Sequence, residues 1–116
     1  MRKNLTKKEI VKKKPDIDEI FNRGKKFYAS GIRLIVAPNN LTVNRIVVIC
    51  VRNYGNAVKR NRIKRHIKEI WRIEKPGFHI GFDFAFVVYP GKDIDYHARK
   101  DQLTRMFSEA QVYLSN

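Results

Sequence analysis

At 116 residues with 43% hydrophobic content, the chain is the size of one domain and can build one core without covalent staples. It carries 25 Lys and Arg against 11 Asp and Glu, a formal charge of +14. That excess draws polyanions, nucleic acid ahead of an anionic membrane or an acidic protein. No apolar run is long enough to span a bilayer, and Cys50, the only cysteine, excludes an internal disulfide and a cysteine-rich zinc site.

The predicted elements follow in chain order. Residues 1–14 hold seven Lys or Arg and predict a basic N-terminal arm, solvated and able to touch a polyanion. The arm lacks the apolar stretch of a secretory signal, and with the lone thiol this predicts a reducing, cytoplasmic setting. A helix is predicted from about Pro15 to Arg23. Pro suits its first position, Asp16 and Glu19 suit the positive end of its dipole, and Ile17, Ile20 and Phe21 share one face. Residues 31–37 and 43–52 read as strands around the turn Pro38-Asn39-Asn40. The unbroken apolar run Ile46 to Val51 predicts burial on both faces.

A long helix is predicted over Asn56 to Lys75, with Asn56 as N-cap and Pro76-Gly77 as its stop. Residues 82–89 form a further strand. A last helix is expected from near Asp95 to about Leu114, with Leu103, Met106, Phe107, Ala110 and Leu114 as its apolar stripe. The expected fold class is α/β (α+β): a single domain over residues 1–116, a two-layer sandwich with helices packed on one small sheet.

The long helix carries the functional argument. At 100° per residue, Ile63, Ile67 and Ile70 stack on one face with Trp71 at its edge, and Asn61, Lys64, Arg65, Lys68 and Arg72 stack on another. A solvated amphipathic helix is the ordinary reading of such a run. Against it, within residues 55–72 seven Lys or Arg face the single acid Glu69, so few spaced ion pairs offset the repulsion. Lys59, Arg60 and Arg62 also lie in the first turns, where the dipole disfavours cations by about 0.3–1 kcal/mol each. A surface built for solubility alone needs no such local cost. The guanidinium fork of arginine matches phosphates and base edges. No helix–turn–helix pair precedes this helix, because an apolar strand leads straight into the loop Asn53-Tyr54-Gly55. That favours RNA over a DNA major groove.

The stretch Gly55-Asn56-Ala57-Val58-Lys59-Arg60-Asn61-Arg62-Ile63-Lys64-Arg65 resembles the signature of the bacterial ribonuclease P protein component. Ile17, Phe21 and Gly24 are similar to that family's first helix, Arg45 and the following residues to its central strand, and Ile94-Asp95-Tyr96 with Leu103, Met106 and Phe107 to its last helix. The resemblance implies an α-β-β-β-α-β-α order on a mixed sheet with a left-handed β-α-β crossover. It implies a protein subunit that assists a catalytic RNA in removing the 5′ leader from precursor tRNA. Arg60, Asn61, Arg62, Lys64, Arg65 and Lys68 are then expected against the catalytic RNA, and Ile17, Phe21 and Ile35 in a cleft that binds the leader. Ile17 and Ile35 stand where the family carries aromatics. Tyr89-Pro90 stands where it carries a basic pair, with Lys92 as a compensating cation.

No catalytic arrangement stands out. His66, His79 and His97 are far apart, and no paired carboxylates, phosphate loop or nucleophile motif appears. Asp16, Asp18 and Glu19 could meet a hydrated cation, but acids at a helix start ordinarily serve its dipole. The expectation is therefore no catalytic residue, metal site or cofactor in this chain, and Mg2+ acting within the RNA. The expected partners are the catalytic RNA and precursor tRNA, with neither membrane nor DNA. A structural RNA-binding protein, such as a ribosomal one, remains the alternative.

Overall fold

The computed structural model describes residues 7–91 and 94–114. Residues 1–6 of the basic arm and Lys92 lie outside the described residues. Three helices, α1 (Lys14–Arg23), α2 (Ala57–Glu74) and α3 (Tyr96–Glu109), surround four strands, β1 (Lys25–Ala29), β2 (Ile32–Pro38), β3 (Arg45–Cys50) and β4 (Phe82–Val88). The chain order is α-β-β-β-α-β-α, and the sheet order is β1-β2-β4-β3. β1 and β4 run antiparallel to β2, whereas β3 runs parallel to β4 with α2 as the connection, so the sheet is mixed.

One face of the sheet holds the larger core. Ile32, Leu34, Val36, Ile46, Val48, Phe84, Phe86 and Val88 meet Ile63, Ile67, Ile70 and Trp71 of α2 and Leu103, Met106 and Phe107 of α3. The other face gathers Val11, Ile20, Ile35, Ala37, Ala85 and Val87. The two-layer expectation therefore needs an addition: α1 lies on the face opposite α2 and α3. The alternating strand pattern dictates this, because β2 and β4 are apolar on both faces and each face must be covered.

Three further expectations change. β3, not β4, was expected to be buried on both faces. It is an outer strand instead, with Ile46 and Val48 buried but Val47 and Ile49 only half-buried. α1 packs mainly on β2 and β4. The outer edge of β3 is met by the arm, where Ile10 bridges Ile46 and the Val11 N–H donates to the Ile46 carbonyl at 3.0 Å. β1 has no apolar run to betray it; its two-residue turn into β2 is set by Gly31 at φ +77°. Finally, α3 ends at Glu109, well before Leu114. Gln111 turns left-handed (φ 58°), Val112 is buried, and Tyr113 bridges Phe78 and donates to Glu74 at 2.8 Å. Continuing the helix would forfeit those contacts.

Gly24 ends α1, but not by a left-handed turn. A Cβ there would lie 2.4 Å from Ile35 Cγ2 and 2.6 Å from the Ile20 carbonyl oxygen, so the helix can rest on β2 only with glycine at this point. Arg45 fastens the same region. Its guanidinium donates to both Asp83 oxygens at 2.8 and 2.7 Å and lies 3.9 Å from Asp16 of α1.

Candidate nucleic-acid interface

α2 begins where Asn56 accepts the Lys59 N–H at 3.0 Å, and it runs on because its isoleucines bury against the sheet. That fixes the rotation of the helix and turns the opposite stripe outward. Asn61, Lys64, Arg65, Lys68, Glu69 and Arg72 line one shallow groove, closed on its far side by Ile10 of the arm. Arg72 is held by Glu69 at 2.7 Å. Among the described residues, Asn61, Lys64, Arg65 and Lys68 donate to no protein acceptor, so their hydrogen-bonding capacity faces solvent.

Two of the six expected RNA contacts sit elsewhere. Arg62 points to the other margin of α2, beside Tyr54, Lys59, His66, Ile94 and Arg99, so the helix carries cations on both flanks. Arg60 turns back instead. Its Nε donates to the Gly55 carbonyl at 3.0 Å, and one terminal nitrogen donates to the carbonyls of Val51 and Arg52. Its fork holds the loop between β3 and α2, and this role was not readable from the sequence because it depends on where the loop carbonyls point. His66 is held below its ordinary pKa first by burial and then by Arg62, Arg65 and Arg99, while its ring meets Tyr96 edge-on at 5.7 Å.

The opposite face of the sheet holds the expected cleft residues. Ile17 and Phe21 are half-buried along α1, and each keeps exposed surface. Ile35 does not: it is fully buried under α1, so it shapes the floor but presents no surface to a bound strand. The acids of α1 are each met by a cation: Asp16 by Arg45, Asp18 by Lys14 and Glu19 by Arg23. Among the described residues no three His, Cys, Asp or Glu side chains group as metal ligands, and no helix is long and apolar enough to cross a membrane. Cys50 is half-buried, and burial pushes its thiol pKa up, which disfavours the reactive thiolate.

One feature escaped the sequence reading. Tyr28 of β1 stands opposite Arg33 of β2, and the Arg33 guanidinium lies 5.3 Å from the Tyr28 ring and 5.8 Å from the Tyr89 ring. Strand alternation could have flagged the Tyr28–Arg33 pair only once β1 and its register were known.

A family model described as Ribonuclease P matches residues 5–111. The ribonuclease P protein component of Petrotoga mobilis is 38% identical over 113 residues, covering 91% of this chain and 94% of its own length. A structure of the RNase P protein from Staphylococcus aureus superposes with a TM-score of 0.81 at 25% identity, covering 90% of this chain and 97% of that one. A mutant of the S. aureus protein gives a TM-score of 0.83 at 22% identity over 92% of each chain, a likeness of fold. The helix order, the mixed sheet and the outward basic stripe of α2 therefore sit within a match spanning nearly the whole sequence, and the chain belongs to the ribonuclease P protein family.

Proposed function

We propose that this chain binds the catalytic RNA of ribonuclease P through α2 and the single-stranded 5′ leader of precursor tRNA across the α1 face of its sheet. The observation that carries the reading is the stripe Asn61, Lys64, Arg65 and Lys68. It is held outward by a buried isoleucine face, and Glu69, the acid in its groove, is engaged by Arg72. A phosphate backbone supplies the acceptors that such a stripe lacks, with release of counterions as the driving force. Arg62 adds a cation on the second flank, and Arg60 holds the loop that presents the helix. Phe21 and Ile17 offer surface to the leader, and Ile35 supports them from beneath.

In this reading the protein cuts nothing itself. It lowers repulsion between two polyanions and fixes the leader relative to the scissile bond, an effect of positioning. Mg2+ belongs to the RNA, because the acids of α1 are each taken by a cation of the fold. The reaction is endonucleolytic hydrolysis, and the setting is the cytoplasm.

The test is cleavage of a precursor tRNA by a ribonuclease P RNA at low magnesium, with and without this chain. The protein is expected to raise cleavage strongly and to show none alone. Metal-dependent cleavage by the purified protein without RNA would overturn the division of labour. Preference for duplex DNA over structured RNA at matched salt would overturn the choice of partner.

A further inference from the structure

The α1 face of the sheet is only partly roofed. α1 covers Ile35, Ala37 and Ala85, while the same face continues past it to Arg33, Tyr28 and Tyr89 at the other end of β2. There the Arg33 guanidinium lies between two tyrosine rings, 5.3 and 5.8 Å from their centroids. Tyr28 keeps 64% of its surface exposed, a large aromatic left in water on an edge strand. Arg33 Nε is buried without a hydrogen-bond partner, and among the described residues Arg33 makes no ion pair. Lys26 is exposed on the same face of the neighbouring strand, and β1 and β2 carry no acid.

A stack built only to hold Arg33 in place would bury its aromatics. This one leaves the outer ring open on a cationic, acid-free surface. Flat π-faces beside a guanidinium on an open sheet are the chemistry that seats unpaired bases, with cations nearby for the backbone phosphates. The stack also lies across the sheet from α2, so an RNA strand resting on it is not the one held by the α2 stripe.

We propose that Tyr28, Arg33 and Tyr89 form a base-stacking seat for unpaired RNA beyond the end of α1, occupied by a leader nucleotide of precursor tRNA. The seat rests on the proposed function for the identity of its strand. It makes Tyr28 a residue that sets how much of the leader the protein reads. Phe21 and Ile17 line the near part of the track, and the seat adds its far part.

The experiment measures binding of the protein–RNA holoenzyme to precursor tRNAs whose leaders are lengthened one nucleotide at a time, and to mature tRNA. The wild type is expected to gain affinity in a distinct step when the leader becomes long enough to reach the seat. Tyr28→Ala should erase that step, a loss of about tenfold given the usual worth of one base–aromatic stack. Tyr28→Phe should keep it. Replacing the seated nucleotide by an abasic one should cost the wild type the same factor and cost Tyr28→Ala nothing more. Affinity for mature tRNA and for the catalytic RNA should be the same in all three proteins. An unchanged step in Tyr28→Ala overturns the seat while leaving the functional reading intact. A wild type that binds mature and precursor tRNA alike overturns the functional reading itself. A loss of affinity for the catalytic RNA in Tyr28→Ala, or an equal loss in Tyr28→Phe, assigns the ring another role and overturns the seat as well.

Discussion

Asp83 is 4% exposed in the middle of the fold, where Arg45 donates to both of its oxygens and Asn39 donates to one at 2.8 Å. Removing Arg45 strands that carboxylate. Arg45→Ala is expected to cost about 3–5 kcal/mol of stability, whereas pairing Arg45→Met with Asp83→Leu should lose much less, because the desolvated charge goes with its partner. Urea unfolding midpoints of the single and double variants check this. His66 gives a second prediction at the same scale. Its folded-state pKa is lowered, mainly by burial and then by Arg62, Arg65 and Arg99. As pH falls through about 6.5, the unfolded chain therefore takes up a proton that the folded chain refuses. Stability conferred by the neutral ring is full above that pH and declines below it. Thermal unfolding between pH 7.5 and 5.5 should fall less steeply for His66→Gln than for the wild type; parallel slopes would mean that His66 titrates alike in both states.

At the scale of elements, α2 separates two kinds of arginine that look identical in sequence. Arg65 faces solvent in the outer groove, while Arg60 is bound to three loop carbonyls. Arg65→Ala is expected to leave stability within about 0.5 kcal/mol and to weaken binding to the catalytic RNA, flattening its log–log salt dependence by about one unit. Arg60→Ala should do the reverse, losing about 1–3 kcal/mol of stability through the freed carbonyls with a smaller change in salt slope. Isothermal titration at several KCl concentrations beside chemical unfolding tells them apart. The elements themselves were legible where the period was strong. The ends of α2 and the cap Asn56 follow from its sequence because caps and the 3.6-residue repeat are local. β1 was not legible, since Lys25-Lys26-Phe27-Tyr28-Ala29 is an edge strand with one half-solvated face. The end of α3 was misread because Ala110 and Leu114 keep helical spacing from Phe107 and Leu103, while Tyr113 between them is drawn to Phe78 and Glu74, distant in sequence. The basic stripe was visible for the same reason as α2, whereas the Tyr28–Arg33–Tyr89 stack needs three strands in register before its parts meet.

For the whole molecule, a charge of +14 on a particle with a radius of gyration of 13.5 Å puts folding and binding in opposition over salt. Free of RNA, the chain holds its cations against one another. Its fixed ion pairs are few: two of those among the described residues are exposed i,i+4 pairs on α1, which contribute little. The buried Arg45–Asp83 pair is screened only weakly. Added salt should therefore relieve repulsion more than it weakens attraction. Raising KCl from 0.05 to 0.5 M is expected to increase Tm, and each 1 kcal/mol gained corresponds to roughly 4 °C or more for a domain of this size. Over the same range affinity for the catalytic RNA should fall by orders of magnitude, with a slope near −3 if Lys64, Arg65, Lys68 and Arg62 meet three or four phosphates. At fixed low salt, the RNA should raise Tm more than KCl alone does, since it neutralises the same charges and binds only the folded arrangement of the stripe. The decisive measurement is Tm by calorimetry across the salt series with and without RNA. A Tm that falls with salt in the free protein would mean that ion pairs, rather than the packed sheet and its two cores, hold the fold against its charge.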